Sequence, residues 1–203
     1  MAKAVHRIAR WVEPGESADL ELLYTLNPLQ KRSSGIAEKK EYTRLTVRQI
    51  LDEEKQRRTG LAKRAGFLSE TASFLAKSAD QFLSERKSTG GKTILAGYPF
   101  FEDWGRDTMI ALPGVCLSTG RYEEAKSILR TFAVYEKDGL MPNLFPEGED
   151  EPVYNTVDAS LLFVNCVFLY YNRTEDRDFV QEVYPVMRRI IENYKKGTKY
   201  GIR

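Results

Sequence analysis

Two helical textures alternate along the second half of this chain, and that alternation limits the architectures open to it. Val157 to Tyr170 is apolar nearly all round a helix, as expected for a helix enclosed on every side. Tyr122 to Tyr135 and Asp176 to Lys196 are amphipathic instead. The first gathers Ala125, Ile128, Leu129, Phe132 and Ala133 on one face, the second Val183, Val186, Ile190, Ile191 and Tyr194, with Pro185 expected to kink it. Thr108 to Ser118 is a further apolar helix, perturbed by Pro113 and broken at Gly120. Upstream, Thr46 and Gln49 fit a capping box that starts a charged helix, Val47 to about Arg58. A longer helix is expected over Phe67–Arg86, where Leu68, Ala72, Leu75, Ala79, Phe82 and Leu83 recur mostly at three- and four-residue steps. Gly90-Gly91 ends it, and Lys92 to Ala96 reads as a short extended segment.

Helix, short turn, helix, long loop is the expected order of an α/α toroid, with enclosed inner helices and outer helices facing water. The fold class is therefore mainly α. The longest loop, Lys137 to Val153, would lie at the rim where a cleft forms. No fixed-length repeat supports a helical solenoid. Residues 5–26 look like two short strands around Pro14-Gly15-Glu16. An isolated hairpin is marginal in water, so this piece is expected to be the remnant of an N-terminal β-domain. The organisation expected is 1–45 for that tail and a linker, and 46–203 for the helical domain.

Composition removes several classes of function. Lys plus Arg number 31 against 29 Asp plus Glu, which gives no electrostatic reason to bind nucleic acid or membranes. The basic stretch Lys39–Arg64 is interrupted by acids and reads as a solvated helix face. His6 is the only histidine, so neither a Ser/His/Asp triad nor a histidine zinc site is plausible. No phosphate-cradling glycine motif is present, and no metal or cofactor is expected. Cys116 and Cys166 sit in apolar surroundings without C-x-x-C spacing, as buried free thiols of a reducing compartment do. With no secretory leader and no membrane span, a cytoplasmic location is expected.

The chemistry is thus left to carboxylates. Tyr98-Pro-Phe-Phe-Glu-Asp-Trp-Gly-Arg-Asp-Thr-Met109 sets aromatic rings beside Arg106 and the acids Glu102, Asp103 and Asp107. Tyr154-Asn-Thr-Val-Asp-Ala-Ser160 follows about fifty residues later. Rings stack on the C–H faces of a pyranose, Arg and Asp satisfy its hydroxyls, and paired carboxyls perform glycoside hydrolysis. Glu102, Asp103 and the acidic run from Glu147 to Glu151 read as loop charges.

The first segment resembles the start of the amylo-α-1,6-glucosidase domain of glycogen debranching enzymes. Gly139-Leu-Met-Pro-Asn-Leu-Phe-Pro146, the Tyr154–Ser160 segment and Gly197-Thr-Lys-Tyr-Gly-Ile202 agree with it in order and spacing. The resemblance covers roughly residues 46–203. It implies a partial (α/α)6 toroid and hydrolysis of α-1,6-linked glucose in glycogen or a branched α-glucan, with inversion. It implies that Asp158 is the general acid, that Arg106 and Asp107 grip the terminal glucose, and that Trp104 walls the same subsite. Asn143 and Asn155 either orient sugar hydroxyls or tie down loops. An acid at a helix N-terminus needs desolvation or a neighbouring carboxylate to keep its proton. The family's base lies further along than Arg203, so the chain is expected to be a fragment, inactive alone, with apolar helix faces left open. A glucoamylase- or trehalase-like toroid and a non-catalytic helical sugar-binding module are the alternatives.

Overall fold

The computed structural model describes residues 14–15, 47–97, 101–146 and 151–202. The chain divides into two compact units, Met1–Gln56 and Arg57–Arg203. Gly15 adopts φ +92°, so the turn expected at Pro14-Gly15 is present. The two strands expected around it, the linker and Thr46 of the capping box lie outside the described residues. Helix α1 (Val47–Arg64) runs past its expected end at Arg58. Its surface is charged and largely exposed, and Leu61 is its buried apolar residue.

The single helix expected over Phe67–Arg86 is instead a helix, a tight turn and a strand. Helix α2 (Glu70–Ala79) is capped by Ser69, whose hydroxyl accepts from the Ala72 amide. A 3₁₀ turn at Asp80–Phe82 ends it. Strand β1 (Leu83–Arg86) then pairs antiparallel with β2 (Gly91–Ile94). The hairpin closes through Gly90 at φ +65°, a backbone shape that favours glycine. Phe82 and Leu83 continue the helical spacing by coincidence; the turn chemistry at Gly90-Gly91 decides the outcome.

A second ribbon joins β3 (Asp103–Trp104) to β4 (Leu144–Phe145), with Asp103 opposite Phe145 and Trp104 opposite Leu144. The segment expected to be a long loop therefore contributes a strand. Helix α3 (Gly105–Leu112) follows β3 without a break, three residues earlier than the expected start. At Pro113 the helical repeat widens: Ser118 N donates to Pro113 O and Arg121 N to Cys116 O, each spanning five residues. Proline has no N–H to give the Met109 carbonyl. The Cys166 thiol donates to that carbonyl at 3.1 Å. Both cysteines are free and buried, as expected, and burial pushes both thiols up to about 12, so they persist as neutral donors.

Helices α4 (Tyr122–Val134), α5 (Ala159–Thr174) and α6 (Arg177–Lys196) complete the unit. The apolar faces of α4 and α6 are largely the predicted ones: Ala125, Ile128, Leu129 and Phe132 are buried on α4, and Val183, Val186, Ile190 and Tyr194 on α6, while Ala133 is partly buried and Ile191 is exposed. Helix α5 packs against α3, α4 and α6, with the Tyr170 ring edge-on to Phe179. It is not enclosed on every side. Leu161 and Phe168 are 42% and 58% exposed, because no described element packs on that face. A mainly helical fold, six helices among the described residues, is consistent with an α/α toroid.

Asp176 locks three of these helices at one point. As the N-cap of α6 it accepts from Phe179 N at 3.0 Å, from Lys126 Nζ of α4 at 2.7 Å and from the Tyr170 hydroxyl of α5 at 3.0 Å. The Lys126 ammonium and the Phe179 amide hold its carboxyl down at about 2, from an ordinary 3.8. Asp176→Ala is expected to cost about 1–2 kcal/mol in urea unfolding near neutral pH. A depressed carboxyl stabilises the fold above its unfolded value and loses that contribution as pH falls through the folded one. The gap between parent and variant should therefore shrink between about pH 4 and pH 2.

Candidate functional site

The site begins at the β3–β4 ribbon. Because β3 feeds directly into α3, Arg106 and Asp107 fall in the first helical turn. Gly105 sits against the chain bearing Pro142 and Asn143: its amide donates to Asn143 O at 2.7 Å. A Cβ at Gly105 would lie 2.0 Å from Pro142 O, so only glycine allows this approach. Asn143 N donates to Val153 O, and Val153 N to Leu144 O. These bonds bring residues 153–158 alongside.

That arrival is fixed by side chains as well. Asn143 Nδ2 donates to Asn155 Oδ1 at 3.1 Å. The Tyr154 hydroxyl donates to Tyr135 O, the Tyr194 hydroxyl to Val157 O, and Met141 N to Ser160 Oγ. The bond between Asn143 and Asn155 ties their two loops together.

Arg106 and Asp158 meet directly. Arg106 Nε donates to Asp158 Oδ1 at 2.9 Å and lies 2.8 Å from Oδ2. Arg106 Nη2 donates to Thr156 Oγ1 at 3.1 Å, and the Thr156 hydroxyl donates on to Asp158 Oδ1. Thr156 is buried, whereas the Arg106 and Asp158 side chains are each about half exposed. Asp158 is the N-cap of α5 but makes no side-chain capping bond, because both oxygens are turned to Arg106. Asp107 is exposed in the first turn of α3, and Arg106 reaches across to Asp158 rather than back to it. Trp104 is half-buried, with its ring edge-on to Phe101 at 6.2 Å. Tyr98, Phe100 and residues 147–150 lie outside the described residues.

Two expectations need correction. Asp158 was expected to need a raised pKa. Burial does push it up, but the Thr156 hydroxyl and the Arg106 guanidinium outweigh that and hold the carboxyl below its ordinary value. Asp103 is not a loop charge. It is 2% exposed, and its carboxylate accepts from Arg86 of β1 and Thr93 of β2. Arg86 also donates to the carbonyls of Phe145 and Pro146 and lies over the Phe145 ring. Arg86, Thr93 and Thr156 thus shape the site without having been given a role in the sequence, and Asp103 with a role other than the one expected. Asp103 and Thr156 stand inside the two informative segments; Arg86 and Thr93 lie upstream of both and carry no local signal.

Among the described residues, no group of three His, Cys, Asp or Glu is placed to hold a metal ion. No described helix is long and apolar enough to cross a membrane. The family model described as Amylo-alpha-1,6-glucosidase matches residues 77–203. Over 104 residues the chain is 39% identical to the glycogen debranching enzyme of Saccharomyces cerevisiae, a match covering 46% of this chain and 7% of that protein. The chain therefore spans a small part of the length of this curated relative. The family match takes in more than half of the chain and the whole cluster from Arg86 to Asp158, and the chain belongs to the amylo-alpha-1,6-glucosidase family.

Proposed function

We propose that these residues serve a glycoside hydrolase that removes α-1,6-linked glucose stubs from glycogen or a related branched α-glucan, with inversion. In this reading Asp158 is the general acid toward the glycosidic oxygen. Arg106 and Asp107 hold hydroxyls of the terminal glucose, Trp104 walls its subsite, and Asn143 and Asn155 fix the rim. Residues 46–203 belong to an (α/α)6 toroid, and residues 1–45 to a β-rich domain before it. The observation that carries the reading is the half-exposed Arg106–Thr156–Asp158 cluster, built from two segments that lie within the family match.

Arg106 has donors to spare. Its guanidinium offers five N–H groups, and the bonds to Thr156 and Asp158 engage only Nε and Nη2. The Nη1 side is oriented by the same contacts and suits a sugar hydroxyl. Thr156 and Arg106 hold the Asp158 carboxyl below its ordinary value, so acid catalysis requires proton uptake when sugar binds. A glucose unit that draws Arg106 toward its hydroxyls and excludes water would raise the carboxyl in that way. Inversion also requires a second carboxyl about 6.5–9.5 Å away to activate water, and no residue of this chain is assigned that role.

The test is glucose release by the intact gene product from a limit dextrin bearing single-glucose branches. Asp158→Asn is expected to lower kcat at least about a hundredfold while dextrin binding persists. Retained glucose release would remove Asp158 from the acid role. Preference for trehalose or linear maltodextrin would point to another toroid glycosidase, and binding without hydrolysis to a sugar-binding module.

A further inference from the structure

We propose that Thr156 is a positioning residue for Asp158: its buried hydroxyl accepts from Arg106 and donates to the carboxylate, so that it holds Asp158 ionised and in one rotamer. A threonine hydroxyl has one hydrogen to give. With Arg106 Nη2 directed onto the oxygen at 3.1 Å, that hydrogen is aimed at Asp158 Oδ1. The same Oδ1 receives Arg106 Nε. Two donors therefore converge on one carboxylate oxygen, and both bonds are strongest when that oxygen is charged. Thr156 is 5% exposed, so water does not readily replace its hydroxyl, and its neighbours Asn155 and Val157 are tied by bonds to Asn143 and Tyr194.

Among the described residues, the groups facing Asp158 are few. Arg106 comes from α3, Thr156 from its own segment, and Tyr194 from α6. Tyr194 is pushed up by burial and by the Asp158 charge, so it stays neutral wherever Asp158 titrates. Burial pushes the Asp158 carboxyl up, and Thr156 and Arg106, with its own backbone amide, hold it down. When a hydroxyl ligand pulls Arg106 aside, Asp158 loses the guanidinium and keeps the Thr156 hydroxyl, which by itself holds the charge less strongly.

The consequence for catalysis rests on the acid role of Asp158; the titration itself does not. The experiment follows the Asp158 carboxyl carbon by NMR across acid pH in the full chain, parent against Thr156→Val and Thr156→Ser. Valine keeps the shape and removes the hydroxyl, so the Asp158 midpoint is expected to move to higher pH. Serine restores the hydroxyl and should leave the midpoint at the parent value. An unchanged midpoint in T156V, or a shift of equal size in T156S, overturns the proposal. Should T156V fail to fold, Thr156→Ala takes its place in the same titration with the same expected direction. In the intact gene product, T156V should move the alkaline limb of the kcat/KM profile, which reports the free enzyme, the same way. Loss of activity in D158N alongside a T156V midpoint that does not move would sink this inference alone; a moved midpoint with D158N still active would sink the acid role alone.

Discussion

Arg86→Met is expected to destabilise the fold by about 3–5 kcal/mol, because it strands a buried carboxylate. The Arg86 and Asp103 side chains are 2% and 3% exposed. Methionine fills much of the arginine stem's volume, so the cost comes from charge rather than from a cavity. Asp103 would keep the Thr93 hydroxyl and a backbone amide but no cation, and the Phe145 and Pro146 carbonyls would lose the Arg86 donor. Urea unfolding followed by tryptophan fluorescence reads this directly, since Trp104 adjoins Asp103 in β3. Burial already pushes the Asp103 carboxyl up, and removing Arg86 pushes it further. The defect should therefore shrink as pH falls and Asp103 takes a proton. Replacing both partners, Arg86→Met with Asp103→Leu, should restore most of the loss, because neither charge is then left alone. A single variant as stable as the parent would show that the pair does not hold the ribbon.

Gly105→Ala is expected to cost about 3 kcal/mol, a fall of roughly 6–12 °C in Tm, by overpacking. The added methyl would stand 2.0 Å from Pro142 O and 3.1 Å from Pro142 C. Both are backbone atoms, so no side chain can swing aside. Relief requires β3 and the Pro142–Asn143 chain to separate, which stretches the Gly105–Asn143 bond. Asn143 in turn holds Asn155, so Asp158 should drift from Arg106. Under the proposed function, the accompanying sign is a weakened dextrin affinity in whatever fraction remains folded. Gly114→Ala is the matched control. Nothing lies within 4 Å of its Cβ, and it should unfold within about 0.5 kcal/mol of the parent.

Both changes act on contacts that local pattern does not reveal. Helices α4 and α6 were legible because their apolar residues recur every three or four positions, and the burial follows that spacing. The disturbance at Pro113 was legible because a missing N–H is a property of the residue itself. Strand β1 was not, since Phe82 and Leu83 continue a helical spacing while their pairing partners lie beyond the turn. The exposed stripe of α5 was misread for a related reason. Its apolar content says that the helix suits enclosure, but not which neighbours are present.

The same division runs through the candidate site. Apolar periodicity carries the helices and two short segments carry the family likeness, so the sequence by itself determined the mainly helical class and the family. Which groups touch was decided only in three dimensions. Arg106 bonds Asp158 and Thr156 across fifty residues rather than its neighbour Asp107, and Asp103 turns inward to Arg86. Helical periodicity is a local property, set by 3.6 residues per turn. The partner of a charge is set by whichever distant chain the packing brings within about 3 Å, and nothing in local spacing encodes that.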